Sequence, residues 1–127
     1  MHFEIKDIVK ASFNKMLSWR EYLHAYPELS FQEVNTSAFV VSILEELGIP
    51  CQHGIAGTGI VALINGQNPK KQCIALRADL DGLPIHEEND VPYKSKKQGV
   101  MHACGHDVHT TCLLGAAIVL NQLKNEF

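Results

Sequence analysis

Several things that define exported, membrane-embedded or nucleic-acid-binding chains are scarce here. Cysteines number four, Cys51, Cys73, Cys104 and Cys112, and no two stand in CxxC spacing. The segment Met1 to Asp7 holds acidic residues and no apolar run, so no signal peptide is expected. Without an export signal the cysteines read as reduced thiols, structural or metal-bound, in a cytoplasmic protein. No stretch nears the roughly 18 consecutive apolar residues of a membrane span, so no membrane association is expected. Basic residues do not cluster beyond Lys70-Lys71 and the interrupted group Lys94, Lys96 and Lys97. With 11 basic residues against 14 acidic ones and a net charge of −3, nucleic acid is excluded as a main partner. Internal repeats, linkers and low-complexity tracts are missing too.

What remains is an ordinary globular composition, 46% apolar and 20% charged, over 127 residues. That length fits one domain, which buries roughly 65–70% of the surface its unfolded chain exposes. Ile5, Ile8, Val9, Phe13, Met16, Trp19 and Leu23 stand at helical spacing and predict a helix over about 4–25, closed by Pro27. Ser30-Phe31-Gln32-Glu33 reads as a capping box for a second helix with Val34, Ala38, Val41, Leu44 and Leu47 on one stripe. Gly48 then supplies its C′ position. Cys51–Ile55, Gly59–Ile64 and Gln72–Arg77 are strand candidates. The Asn65-Gly66 signal predicts a hairpin between the last two. Residues 78–103, with Pro84 and Pro92, form a long loop of the kind that is usually functional. Asp107 to Lys124 is apolar on nearly every face, the mark of a buried helix. Two helices, strands and a buried helix give an α/β class. Three strands are too few to cover that last helix, so the sheet reads as incomplete in this chain.

Met101-His102-Ala103-Cys104-Gly105-His106-Asp107-Val108-His109 is the densest candidate for chemistry. Thiolate and imidazole suit Zn²⁺-like ions, so these residues are a metal-ligand inventory. They equally fit a plain helix N-terminus, with Asp107 as cap and solvated histidines. A closed zinc site from Cys104, His106, His109 and Cys112 fits poorly, because Cys112 falls about 120° from His106 around a helix. In Arg77-Ala78-Asp79-Leu80-Asp81-Gly82, a β-run ends in two carboxylates, where open α/β sheets gather ligands. The plain alternative is an Arg77–Asp79 surface pair beside a turn. His24 reads as a packing or capping histidine, and His86-Glu87-Glu88 as a solvated loop segment.

Taken together, four stretches resemble the M20 metallopeptidases, in the branch of N-acyl-amino-acid, hippurate and auxin-conjugate amidohydrolases. They are Trp19 to His24 with Pro27 to Phe31, then Leu47-Gly48-Ile49, then Arg77 to Ile85, and finally Met101 to His109. The resemblance implies the N-terminal part of a zinc-peptidase-like three-layer catalytic domain over 1–127, with the lid and dimerisation domain absent. It implies that Cys104 and His106 are metal ligands and that Asp79 is an outer-shell orienter. In the complete enzyme two divalent ions (Zn, Mn, Co or Ni) would polarise the amide carbonyl and acidify a water, with a glutamate as general base. That glutamate belongs to a Glu-Glu pair beyond the last helix, so Glu87-Glu88 does not match it. The implied substrate is a small N-acyl amino acid or similar amide. A 127-residue piece with two ligands and no base is expected to be inactive alone, and its uncovered apolar surface to self-associate. The alternative is a non-catalytic interaction or metal-binding module that keeps the front of the fold.

Overall fold

The computed structural model describes residues 2–127; Met1, at the head of the segment read as lacking a signal peptide, lies outside them. Helix α1 spans His2–Ala25, α2 Val34–Glu46 and α3 His106–Gln122, with strands β1 at Cys51–Ile55 and β2 at Gly59–Ala62. Helix α1 packs along α3, α3 touches α2, and α2 lies over the two strands. Trp19 of α1, Val40, Ile43 and Leu44 of α2, Ile49, and Leu114 and Ile118 of α3 close the core. Burying a side chain of this size stabilises by about 1.5–3 kcal/mol. At Gly115 the α1 and α3 surfaces meet so tightly that an added Cβ would run into Met16.

The first helix ends at Ala25, two residues short of Pro27, as predicted. The second ends in a Schellman motif at Gly48, whose φ of +67° is the left-handed conformation glycine tolerates. There the Gly48 N–H donates to the Glu45 carbonyl and the Ile49 N–H to the Leu44 carbonyl, 2.9 Å each. Ile49 and Leu44 are both in the core, which supplies the motif's apolar contact. The N-terminus of α2 departs from the capping-box expectation. Glu33 sits at the N-cap without a side-chain cap bond. Its carboxylate instead accepts the Thr58 hydroxyl at 2.7 Å, tying the helix to the strands. The orphan N–H groups of Asn35 and Thr36 donate to the Glu28 carboxylate, at 3.2 and 2.8 Å. Glu28 has taken the position ahead of Ser30 because the chain turns at Phe31, whose φ is +62°.

The hairpin also differs from the expectation. β1 pairs antiparallel with β2, Cys51 opposite Ala62 and His53 opposite Ile60, around a bulge after His53. Positive φ at Gly54, Ala56 and Gly57 makes this tight turn possible. A Gly-containing loop of three residues closes far less chain than the separator 65–71 with its Pro69, so the local pairing wins. Residues 72–77 form no strand, and Ile74 and Leu76 stand 76% and 56% exposed. The described residues thus give an α/β arrangement whose sheet has two strands. Helix α3 is not buried all round: Asp107, Thr110, Thr111, Leu114, Gly115 and Ile118 face inward while Val108 is exposed.

Candidate metal centre

The chain reverses at Gly105, whose φ of +91° places Cys104 before the turn and His106 at the first position of α3. The Gly105 carbonyl accepts from the Val108 and His109 N–H groups, so the helix starts at once. Against this start lies the segment Asp79–Gly82, fastened on both sides. Thr110 Oγ1 donates to the Asp79 carbonyl at 2.9 Å, and the Gly82 N–H donates to the Glu28 carbonyl at 2.7 Å. Leu83 and Met101 then form an antiparallel bridge that draws the two motifs together.

His106 Nδ1 donates to the Asp81 carboxylate at 2.8 Å and lies 3.1 Å from its carbonyl oxygen. A carboxylate only accepts, so the hydrogen of the neutral ring sits on Nδ1 and the lone pair on Nε2. Nε2 faces Asp79 Oδ2 at 3.9 Å. The other Asp79 oxygen is held by Arg77 at 2.6 Å. His109 stacks on His106, ring centroids 5.5 Å apart at 25°. One donor atom each from Asp79, His106 and His109 lies within 4.8 Å of the others. Cys104 is an exposed free thiol outside this group of three. The contact that orients His106 comes from Asp81, whereas Asp79 stands on the donor side of the ring.

A second polar cluster supports the same turn from beneath. Asp107, 1% exposed, accepts from Arg20 Nε at 3.0 Å and from His24 Nδ1 at 2.7 Å. His24 Nε2 meets Glu87 Oε1 at 2.9 Å. Both ring nitrogens thus lie within hydrogen-bond distance of a carboxylate oxygen. Glu87 also accepts from Asn89 and from the Ser95 N–H at 2.6 Å. Burial alone would raise the Glu87 carboxyl; the bonds from Ser95, His24 and Asn89 outweigh it and hold it at about 2. The expectation of a solvated Glu87 is therefore corrected: it is 2% exposed and clamps His24. Periodicity did place His24 next to the helix stripe, but nothing local showed that its partners lie 63 and 83 positions away.

His102 is buried with neither ring nitrogen bonded among the described residues, and burial lowers its pKa. Asp79, His106 and His109 bring one carboxylate oxygen and two imidazole nitrogens together, donor types that fit a divalent ion. Beside them lies an open cleft of about 230 Å³ bounded by Phe31, Glu33, Thr58 and residues 77–81.

The turn at the start of α3 sets the His106 imidazole against the carboxylate-bearing segment 79–82. The chain belongs to peptidase family M20/M25/M40, whose description matches residues 75–127. It is 46% identical over 123 residues to an N-acyl-L-amino acid amidohydrolase of Geobacillus stearothermophilus, covering 97% of this chain and 33% of that one. It is 48% identical over 108 residues to an N-acetyl-L-cysteine deacetylase of Bacillus subtilis, covering 85% of this chain and 26% of that one. The solved YXEP protein of Bacillus subtilis, a dinuclear metal-binding peptidase of the M20 family, superposes with TM-score 0.88 at 44% identity. That match covers 92% of this chain and 33% of the other. A structure from methicillin-resistant Staphylococcus aureus gives TM-score 0.93 at 36% identity, over 100% of this chain and 34% of its own. The chain thus spans about a third of the length of these relatives, at their N-terminal end.

Proposed function

We propose that this chain supplies part of the metal centre of an enzyme that hydrolyses the amide bond of small N-acyl amino acids. The observation that carries this reading is the Cys104–Gly105–His106 turn set against Asp79 and Asp81. Cys104 and His106 are the ligands, and Asp81 holds the His106 ring so that Nε2 points outward. The substrate class follows the activities printed for the Geobacillus and Bacillus relatives. A divalent ion held there supplies Lewis acidity toward the amide carbonyl. Arg20, His24, Asp107 and Glu87 keep the turn in register beneath it. The free thiols support a reducing, cytoplasmic setting.

Glu28, Glu33 and Glu87 are each committed to hydrogen bonds, so none of these three is offered as a general base. The 127-residue chain with Zn²⁺ or Mn²⁺ and N-acetyl amino acids is expected to give no product, and clear turnover would refute that. To test the function itself, residues 1–127 replace the matching segment of the Geobacillus amidohydrolase. The chimaera should hydrolyse N-acyl amino acids, and Cys104→Ala with His106→Ala should abolish both activity and bound metal. Retention of the full metal complement by that double variant would sink the assignment.

A further inference from the structure

We infer that Phe31 is a specificity-determining residue, and that the cleft it borders takes the apolar acyl group of the substrate. The inference rests on the N-acyl amino acid reading above and gives that substrate's acyl half a place on this chain. Three observations carry it.

The first is backbone strain. Phe31 and Ala56, with φ of +62° and +51°, are the non-glycine residues of positive φ among the described residues, and both line the cleft. Left-handed backbone is costly for a bulky side chain, and such positions collect at ligand-binding sites. A bend alone would be served better by glycine or asparagine. The second is exposure. Phe31 is 80% exposed, so its ring does no core packing that would offset the strain. The third is support. The buried Glu33 carboxylate accepts the Thr58 hydroxyl at 2.7 Å and so fixes one wall of the cleft to the other. The Gln32 N–H donates to the Leu29 carbonyl at 2.9 Å, and Leu29 bridges to Gly82, which seats the Phe31 bend against the segment 79–82. These contacts hold the walls, while the ring stands out toward solvent.

The cleft ends at Asp79 and Asp81, beside the His106 imidazole. An amide placed at the metal centre can therefore extend one of its two halves past Phe31. Arg77, the cation of the lining, is already bonded to Asp79 at 2.6 Å. The carboxylate half of an N-acyl amino acid finds no unpaired cation there, whereas the acyl half needs none. An acyl group laid along the ring takes apolar surface of both out of water. A volume of about 230 Å³ suits a short aliphatic or benzoyl group rather than a peptide.

The test uses the Geobacillus amidohydrolase carrying residues 1–127. Its kcat/KM is compared across N-acetyl-, N-hexanoyl- and N-benzoylglycine, then across N-acetyl amino acids of growing side chain. The parent chimaera should prefer the hexanoyl and benzoyl groups. Phe31→Gly removes the ring where glycine suits the backbone, so the urea midpoint should hold or rise. The preference for the larger acyl groups over acetyl should nevertheless fall about tenfold, through a raised KM, and Phe31→Tyr should keep it. No acyl preference in the parent, or one that survives Phe31→Gly, overturns the inference. So does a variant that loses side-chain preference in place of acyl preference. Each of these results leaves the amidohydrolase reading standing, whereas a folded chimaera that hydrolyses no N-acyl amino acid sinks both. If the chimaera does not fold, N-hexanoylglycine is titrated into the ¹⁵N-labelled 127-residue chain. The Ala56, Thr58 and Gly59 amides should then shift in the parent and far less in Phe31→Gly, and equal responses overturn the inference.

Discussion

At the scale of single residues, the buried charges decide how the site is held. Glu87 is the clearest case, because its carboxyl titrates at about 2 in the fold against 4.5 ordinarily. A depressed carboxylate contributes stability that is fully present above pH 4.5 and is lost as pH falls toward 2. Its size is on the order of 3 kcal/mol at neutral pH. Glu87→Gln should therefore lower stability at pH 7 and flatten the acid limb of the curve between pH 4.5 and 2, read by urea melts across that range. An unchanged acid limb would show that the bonds from His24 and Ser95 do not govern it. Cys104, His106 and Asp79 stand out as candidates in the sequence because their residue types and motif spacing are local. Nothing local marks Asp81 as the partner of His106 or Glu87 as the partner of His24. Those roles depend on where two loops cross, which no periodicity encodes.

Among the elements, the helices were legible and the strands less so. Both α1 and α2 end where Pro27 and Gly48 stop them, since those residues act on their own neighbours. Gly48→Ala forces a side chain into a φ of +67°, and should cost about 1 kcal/mol in a urea melt. No loss would mean the Schellman end is not under load. The hairpin escaped prediction because two turn signals competed. Asn65-Gly66 is the stronger dipeptide, but Ala56-Gly57-Thr58 closes the shorter loop. Glu28 escaped because a capping carboxylate was sought within the box, and it came from an earlier residue over a bend at Phe31.

For the molecule as a whole, the exposed apolar residues matter most. Ile74 and Leu76 sit on a segment with strong β character and no strand partner among the described residues, with Val61 and Leu63 also exposed. Apolar surface of this kind drives association. The chain is therefore expected to self-associate at micromolar concentration, and Ile74→Lys with Leu76→Lys to shift it toward monomer, measured by light scattering. A monodisperse parent would contradict this. The contact between His24 and Asp107 has a different consequence, for the order in which the protein takes shape. It joins the first and last helices across 83 positions of sequence. Closing so long a loop comes only after shorter-range structure has formed. The polar cluster beneath the Gly105 turn is therefore completed only once α1 and α3 have docked.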